Sequence, residues 1–509
     1  MRWIGKNKLL LLILFLISAL YFALRLPNLT LQPIFADEAI YIRWAQIMKS
    51  EPTLRFLPLS DGKTPLFMWA MIPFFKIFED PLFAGRFLSV LSGFFTLLGI
   101  SFIGWRFFNA RVGLLGALLI AVTPYIVFFD RMALVDSMLT VFTVWSLALG
   151  LLLIQSPRWD LAMLLGYLMG GGLLTKPSGV FNLISLPATI LTFNWLGVNK
   201  EGKLVRIFFT WGVAVIITLI IYNILRLGPG FTTMNSRNQD YIFLPQEIKD
   251  RIWDPFIPHF RDISEWWPKL LTLPILMMGA IGVSWGIVSR NKHVLSILVW
   301  TLVPLIVQMM FLRTFTTRYI LFSIPPLLLL TAWGVDQLCQ RFKKYNLRFM
   351  ILGAGILAVL PLILDYQLLT NPFEADLPRE SKRGYFEEWT AGYGLDEVAK
   401  FLIIEAKKES IVVGTEGSFG TLPDGLEIYL DKYHHLTDNN HKISVVGGKA
   451  TISAQLKQAA LDHPTYYVAN RAKNFPVPSE LRLLKEYPKV IGPTLPQEAI
   501  MLFKVIPSR

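Results

Sequence analysis

The chain carries a single cysteine, Cys339, in 509 residues, so no intramolecular disulfide can form. Charge is also scarce: 17% Asp, Glu, Lys and Arg against 53% hydrophobic residues, with a mean hydropathy of +0.49. A soluble chain of this length would carry more charge and divide into several domains, so that class is excluded. No small-x-small cleavage site follows the first apolar run, which reads as an anchor rather than a removed leader. The glycine-bearing stretch "VVGTEGSFG" (412–420) lacks the full nucleotide fingerprint. No spacing of metal ligands is visible; His259 and His293 stand apart.

What the sequence does have is apolar runs of helix-spanning length. They fall near 9–26, 82–104, 112–129, 135–155, 159–175, 178–197, 207–226, 269–289, 294–312, 319–338 and 349–365. On the ~20-residue criterion this gives about eleven spans and a polytopic α-helical membrane protein. The run 65–78 is too short to span and is assigned to the interface. The net charge of +13 then needs no nucleic acid, because basic loops that set orientation account for it. Lys6 and Lys8, Arg106 and Arg111, Arg158, Lys200 with Lys203 and Arg206, Arg290 with Lys292, and Arg341 with Lys343, Lys344 and Arg348 mark alternate short loops. Those loops are placed in the cytoplasm.

The opposite loops hold Asp37 and Glu38, Lys63, Asp130 with Arg131 and Asp136, Lys176, the long segment 227–268, and Arg313 with Arg318. Ionisable groups at span ends are costly unless they pair or serve a site. Any one of them reads equally well as a solvated loop charge or a snorkelling anchor. Five loops converging on one face, with acids and bases interleaved, point to a shared site.

"FADEAIYIRWAQIMKS" (35–50) reads as the start of an amphipathic helix with its carboxylates at the N-terminal end, where the dipole favours anions. Taken alone, Asp37 reads as an N-cap. "DGKTPLFMW" (61–69) is a turn delivering Lys63, and "LLTKPSGVFNL" (173–183) places Lys176 in a tight corner. "RTFTTRYILFSIPPLLLL" (313–330) delivers Arg318 at the start of a span that Pro325-Pro326 should kink. In 227–268, "RNQDY" (237–241), "HFRD" (259–262) and "EWWPK" (265–269) mix aromatics and charge. Trp266 and Trp267 read as an interfacial belt, and the segment as a whole also fits a mobile loop.

From residue 367 the character changes. Strands at 410–417, 442–448, 465–471 and 499–507 alternate with helices at 424–433 and 453–463. That pattern gives a small α/β domain with a partly parallel sheet. The organisation is therefore a membrane domain, 1–366, with outer loops 27–80 and 227–268, and a soluble domain, 367–509. An odd number of spans puts the latter outside the cell membrane with the site.

The ordered set "DE…Y", "K-x-P", "R…D", "TKPS" and "RY…PP" over about residues 1–340 resembles the polyprenol-phosphate-sugar-dependent membrane glycosyltransferases. This is the GT-C superfold group of protein O-mannosyltransferases and lipid A aminoarabinose transferase. The resemblance implies an extracytoplasmic active site and a polyprenyl-phosphate sugar donor. Where the aminoarabinose branch has an arginine shortly after "DE", this sequence has Ile40. "WWP" is superficially similar to the "WWD" of oligosaccharyltransferases but lacks the aspartate.

The chemistry suits these residues. A sugar on a phosphate needs no general acid, the acceptor hydroxyl needs a base, and the departing phosphate needs cations. Asp37 is the candidate general base, with inversion at the anomeric carbon. Lys63, Lys176 and Arg318 are candidates for the donor phosphate; Arg131 either joins them or holds Asp136. Asp136 positions the sugar or a basic side chain. Glu38 orients the acceptor, ligates a divalent cation, or caps the helix. Tyr41 and Tyr319 are candidate substrate contacts. The implied partners are the lipid-linked donor, membrane lipids, and an acceptor that is protein, lipid or glycan. A secondary transporter is the alternative, disfavoured because the charges cluster at one surface and no duplicated halves are visible. A non-catalytic envelope assembly protein is the third reading.

Overall fold

The computed structural model describes residues 8–249, 251, 253–341, 346–433, 442–448, 452–493 and 496–507. Lys6, Lys343 and Lys344 of the topology argument lie outside them. The chain divides into two compact units. The first comprises Met1–Pro27, Thr53–Phe67 and Phe87–Pro378; the second comprises Asn28–Pro52, Met68–Arg86 and Arg379–Arg509.

The first unit is helical. Among the described residues six helices are long and apolar enough to cross a membrane: Pro81–Phe107, which begins in the second unit, Val135–Gln155, Lys200–Leu227, Lys292–Phe311, Thr317–Arg341 and Met350–Thr370. Two bent pairs raise the number to eight among the described residues, against about eleven expected. The physical reasons differ by run. The run 112–129 breaks at Thr123, because Pro124 has no N–H to continue the ladder, and its halves bend by 59°. The run 178–197 contains Pro187 and folds as 3-10 turns, Pro177–Gly179 and Leu186–Thr192, around a short helix, Val180–Ser185. Lys8–Ala23 and Trp159–Thr175 are apolar helices of 16 and 17 residues. Nor is a kink formed at Pro325-Pro326. The 3-10 turn Thr317–Ser323 precedes them, and they occupy the first turn of Ile324–Arg341, where a missing N–H costs nothing.

Small residues let these helices close up, as is usual where lipid supplies no hydrophobic drive. A Cβ on Gly104 would lie 2.6 Å from the Cα of Gly113, and one on Gly166 would lie 2.7 Å from Ile217 Cβ. Trp266, read as part of an interfacial belt, faces protein rather than the surroundings. It is buried and stacks on Phe315 at 5.1 Å, with His259 at 4.5 Å from the same ring.

The second unit holds a five-stranded mixed sheet. β1 (Ile34–Phe35) and β2 (Ala391–Gly392) form a separate antiparallel pair. β3 (Ile411–Glu416), β4 (Ile443–Gly448), β5 (Thr465–Ala472), β6 (Leu481–Pro488) and β7 (Glu498–Val505) run in the order β4-β3-β5-β7-β6. β3 is parallel to β4 and β5; β7 is antiparallel to β5 and β6. Tyr467, Ala469, Met501 and Phe503 bury one face together with Leu456 of the helix Ala454–Asp462. The sheet is the expected α/β domain with one added strand, β6. The helix Ala36–Ser50 belongs to this unit and lies on Asp424–Tyr433: Arg43 pairs with Glu427 at 2.7 Å, and Gln46 Nε2 donates to Ile428 O at 3.2 Å.

Candidate active site

In the first unit, the corner after Trp159–Thr175 is built to present Lys176. Thr175 Oγ1 closes back on Gly171 O at 2.8 Å, and Pro177 prevents the helix continuing. Lys176 Nζ then donates to Asp136 Oδ1 at 2.6 Å and lies 4.2 Å from the centre of the Tyr319 ring. Asp136 sits in the first turn of Val135–Gln155, is buried, and keeps Oδ2 without a hydrogen-bond partner. Arg318 lies 5.3 Å from the same Tyr319 ring. The turn carrying both is pinned by the buried Tyr125 hydroxyl, which donates to Thr317 O at 2.6 Å.

Lys63 arrives from the turn "DGK", where Gly62 has φ +74° and a Cβ would lie 2.9 Å from Arg237 Cβ. Its Nζ lies 5.1 Å from the Tyr241 ring. Burial lowers the pKa of Lys176, Asp136 opposes that, and the nearby charges of Arg318 and Lys63 lower it further. Three cations therefore share one electrostatic neighbourhood with Asp136.

Arg131 belongs to the same unit. It is buried, and its Nη1 donates to Arg25 O at 2.6 Å and Pro27 O at 2.8 Å, capping the chain that leaves Lys8–Ala23. Below it lies a buried ionic network. Arg25 Nε meets Asp130 Oδ2 at 2.9 Å, with Ser137 Oγ donating to Asp130 Oδ1 and the Tyr21 hydroxyl 2.9 Å from Oδ2. Arg25 also donates to Ile120 O at 3.0 Å and Ala121 O at 2.8 Å. Ile120 O is the carbonyl that Pro124 leaves without its helical donor, so Arg25 repairs the break.

In the second unit, the helix Ala36–Ser50 begins one residue before Asp37, so Asp37 is not the N-cap; that position is Phe35. Glu38 fills the capping role, accepting from Phe35 N at 2.9 Å. Both of its oxygens are also taken by Arg86, at 2.8 Å each, and Glu38 is fully buried. Arg86 spends its other donors on Leu29 O, Gln32 O and Pro33 O. Of the three roles open to Glu38, the geometry matches the cap. Its engaged carboxylate does not fit a divalent cation, and among the described residues no three His, Cys, Asp or Glu side chains gather as ligands. Asp37 is half-buried beside it, and Tyr41 is buried.

Residues 62–225 match the family described as dolichyl-phosphate-mannose-protein mannosyltransferase. Among solved structures, ArnT from Cupriavidus metallidurans in the apo state is 15% identical, covers 99% of this chain and 98% of its own, and superposes with a TM-score of 0.61. The same protein bound to undecaprenyl phosphate gives 16%, 97% and 98%, and 0.56. The Archaeoglobus fulgidus oligosaccharyltransferase with Zn and sulfate gives 13%, 90% and 68%, and 0.53. At these identities the likeness to the solved structures is one of fold. No curated protein matches the sequence.

The chain is a multi-helical membrane protein with the GT-C fold of these glycosyltransferases. The ionisable residues that escape the sequence reading include Arg25, Arg86 and Asp365, all fully buried, and Asp80, which binds Lys432 at 2.7 Å. Arg25, Arg86 and Asp365 lie in or beside apolar runs. A charge there is costly unless paired, which is the signal that could have found them.

Proposed function

We propose that the protein is a glycosyltransferase that moves a sugar from a polyprenyl-phosphate donor to an acceptor hydroxyl on the extracytoplasmic side, with inversion. Lys63, Lys176 and Arg318 hold the donor phosphate, and Asp136 orients Lys176 and keeps Oδ2 for the substrate. Asp37 takes the proton of the acceptor hydroxyl. The acceptor oxygen bonds to the anomeric carbon as the bond from that carbon to phosphate oxygen breaks. Polyprenyl phosphate leaves with one more negative charge than the donor carried, and the cations stabilise it. Residues 1–366 form the membrane domain and 367–509 the extracytoplasmic α/β domain.

The observation carrying this reading is the convergence of cations on one buried acid: Lys176 Nζ meets Asp136 Oδ1 at 2.6 Å, Arg318 shares the Tyr319 ring with Lys176, and the charges of Arg318 and Lys63 both reach Lys176. The alternation of short basic loops supports the side. The position of Asp37 in the first turn of a helix whose start Arg86 and Glu38 fix supports it as base. The test is transfer by the purified full chain from an undecaprenyl-phosphate sugar. Asp37→Asn should abolish turnover while the protein still binds undecaprenyl phosphate and melts normally. Turnover retained in that variant removes Asp37 as base.

A further inference from the structure

The second unit holds one exposed aromatic on an unusually fixed backbone. Trp389 is 47% exposed. Three successive carbonyls at this point are each taken by a donor from a different part of the unit. Glu388 O accepts from Lys489 Nζ at 2.7 Å, Trp389 O from Thr421 Oγ1 at 2.8 Å, and Thr390 O from Ala36 N at 2.9 Å. Lys489 is buried beneath the segment. The third bond continues the β1–β2 pairing, in which Ile34 faces Gly392 and Phe35 faces Ala391. That bond sets Ala36, the residue before Asp37, against Thr390, the residue after Trp389, and from Ala36 onward the chain is helical.

The indole is approached from a second side by Gly420, at φ +98°. A Cβ there would lie 3.4 Å from Trp389 Cζ3 and 3.6 Å from Ala36 Cβ. Both are ordinary contact distances, so the positive φ is what calls for glycine, and the loop after β3 lies against both the indole and the residue preceding Asp37. The same loop carries Phe419, 57% exposed. It also leaves the carboxyl end of β3, at the point where the connection after β3 runs to one side of the sheet and that after β5 to the other, the place where open α/β sheets bind ligands.

A large apolar ring held rigid in water beside a carboxylate is poor economy for a fold and good preorganisation for a ligand with an apolar face and a reactive hydroxyl. A pyranose ring has both: C–H bonds on one face, hydroxyls at the rim. We infer that Trp389, flanked by Phe419, is a binding platform on which a pyranose ring stacks beside Asp37. The ring is either the transferred sugar of the donor or the terminal sugar of a glycan acceptor. This inference rests on the proposed role of Asp37 for its meaning in the reaction, but not for the binding itself.

The experiment uses the full chain in lipid nanodiscs and three probes: undecaprenyl-phosphate mannose, undecaprenyl phosphate, and free mannotriose. In Trp389→Ala, affinity for one of the two sugar-bearing probes should fall by about tenfold, the size of one aromatic contact. Undecaprenyl phosphate should bind as before. Trp389→Phe should recover most of the loss, which a folding defect would not. A loss confined to the mannose donor assigns the ring to the transferred sugar; a loss confined to mannotriose assigns it to a glycan acceptor. Unchanged binding of all three probes in Trp389→Ala overturns the inference, as does a wild type for which the mannose adds nothing and mannotriose does not bind. Asp37→Asn separates the two readings: it should keep the Trp389-dependent binding, and if it also keeps turnover, only the assignment of the base fails.

Discussion

Arg86 and Glu38 form a two-point ion pair in which Nε and Nη2 each meet a carboxylate oxygen at 2.8 Å, with both side chains fully buried. Arg86 lies at the start of a long apolar helix and Glu38 in the first turn of another. The pair does more than cancel charge, because Arg86 also satisfies the carbonyls of Leu29, Gln32 and Pro33 in the irregular chain before β1. Arg86→Lys keeps the charge but cannot reproduce the fork. It should lower stability by about 1–3 kcal/mol, the cost of leaving buried acceptors without their donors. Thermal melting of the purified protein checks this; a loss under ~1 kcal/mol would mean that backbone relaxation or water replaces the arginine.

Gly93 makes room for the second buried network. A Cβ there would lie 2.0 Å from Asp130 Oδ2 and 2.4 Å from the Tyr21 hydroxyl. Gly93→Ala should therefore displace Asp130 from Arg25 and strip donors from the carbonyls at the Pro124 break. A loss of several kcal/mol, or failure to accumulate in the membrane, is expected. Gly355 is the control: it is helical, and nothing lies within 4 Å of its added Cβ. Gly355→Ala should be neutral to within ~0.5 kcal/mol.

These two networks mark where the sequence stops being legible. Lys176, Asp136, Arg318 and Tyr319 were readable because each stands at the end of an apolar run, where a charge has no packing duty. Arg25 and Arg86 were not, because a side chain that hydrogen-bonds backbone carbonyls leaves no periodic trace. The hydrophobic pattern located the α/β domain and its helices, since burial has a period. It missed β6, "LRLLKEYP", an edge strand whose exposed face is charged and whose alternation is consequently blurred. It counted spans too generously because length and hydropathy do not register how Pro124 and Pro187 divide a run. And it placed Trp266 at an interface, when only the fold brings Phe315 beneath it.

The second unit should show a pH dependence of its own. Burial pushes the carboxyl of Asp424 up to about 6, against the hydrogen bond it accepts from Gly420 N at 2.6 Å. A raised carboxyl contributes stability that is complete below its unfolded value, near ~3.9, and is lost as pH rises through about 6. Wild type should therefore fall relative to Asp424→Asn between pH 4 and pH 7, by on the order of 2 kcal/mol. Melting of both proteins across that range tests it. Parallel curves would show that Asp424 titrates at its ordinary value.

Lys176 and Asp136 allow structure and function to be separated within one pair. Lys176→Met leaves Asp136 buried with neither oxygen satisfied, so it should cost ~3–5 kcal/mol of stability as well as donor affinity. Asp136→Asn removes the carboxylate and should leave affinity for undecaprenyl phosphate unchanged or improved, since the neighbourhood becomes more positive. The double variant, Asp136→Asn with Lys176→Met, carries no unpaired charge and should regain most of the lost stability. If Lys176 binds the donor phosphate, the double variant still binds undecaprenyl phosphate at least tenfold more weakly than wild type, because the cation is gone whatever the fold has recovered. If Lys176 only neutralises Asp136, affinity returns together with the melting temperature. Measuring both quantities on the three proteins therefore distinguishes a phosphate ligand from a structural counter-ion, which neither single substitution can do.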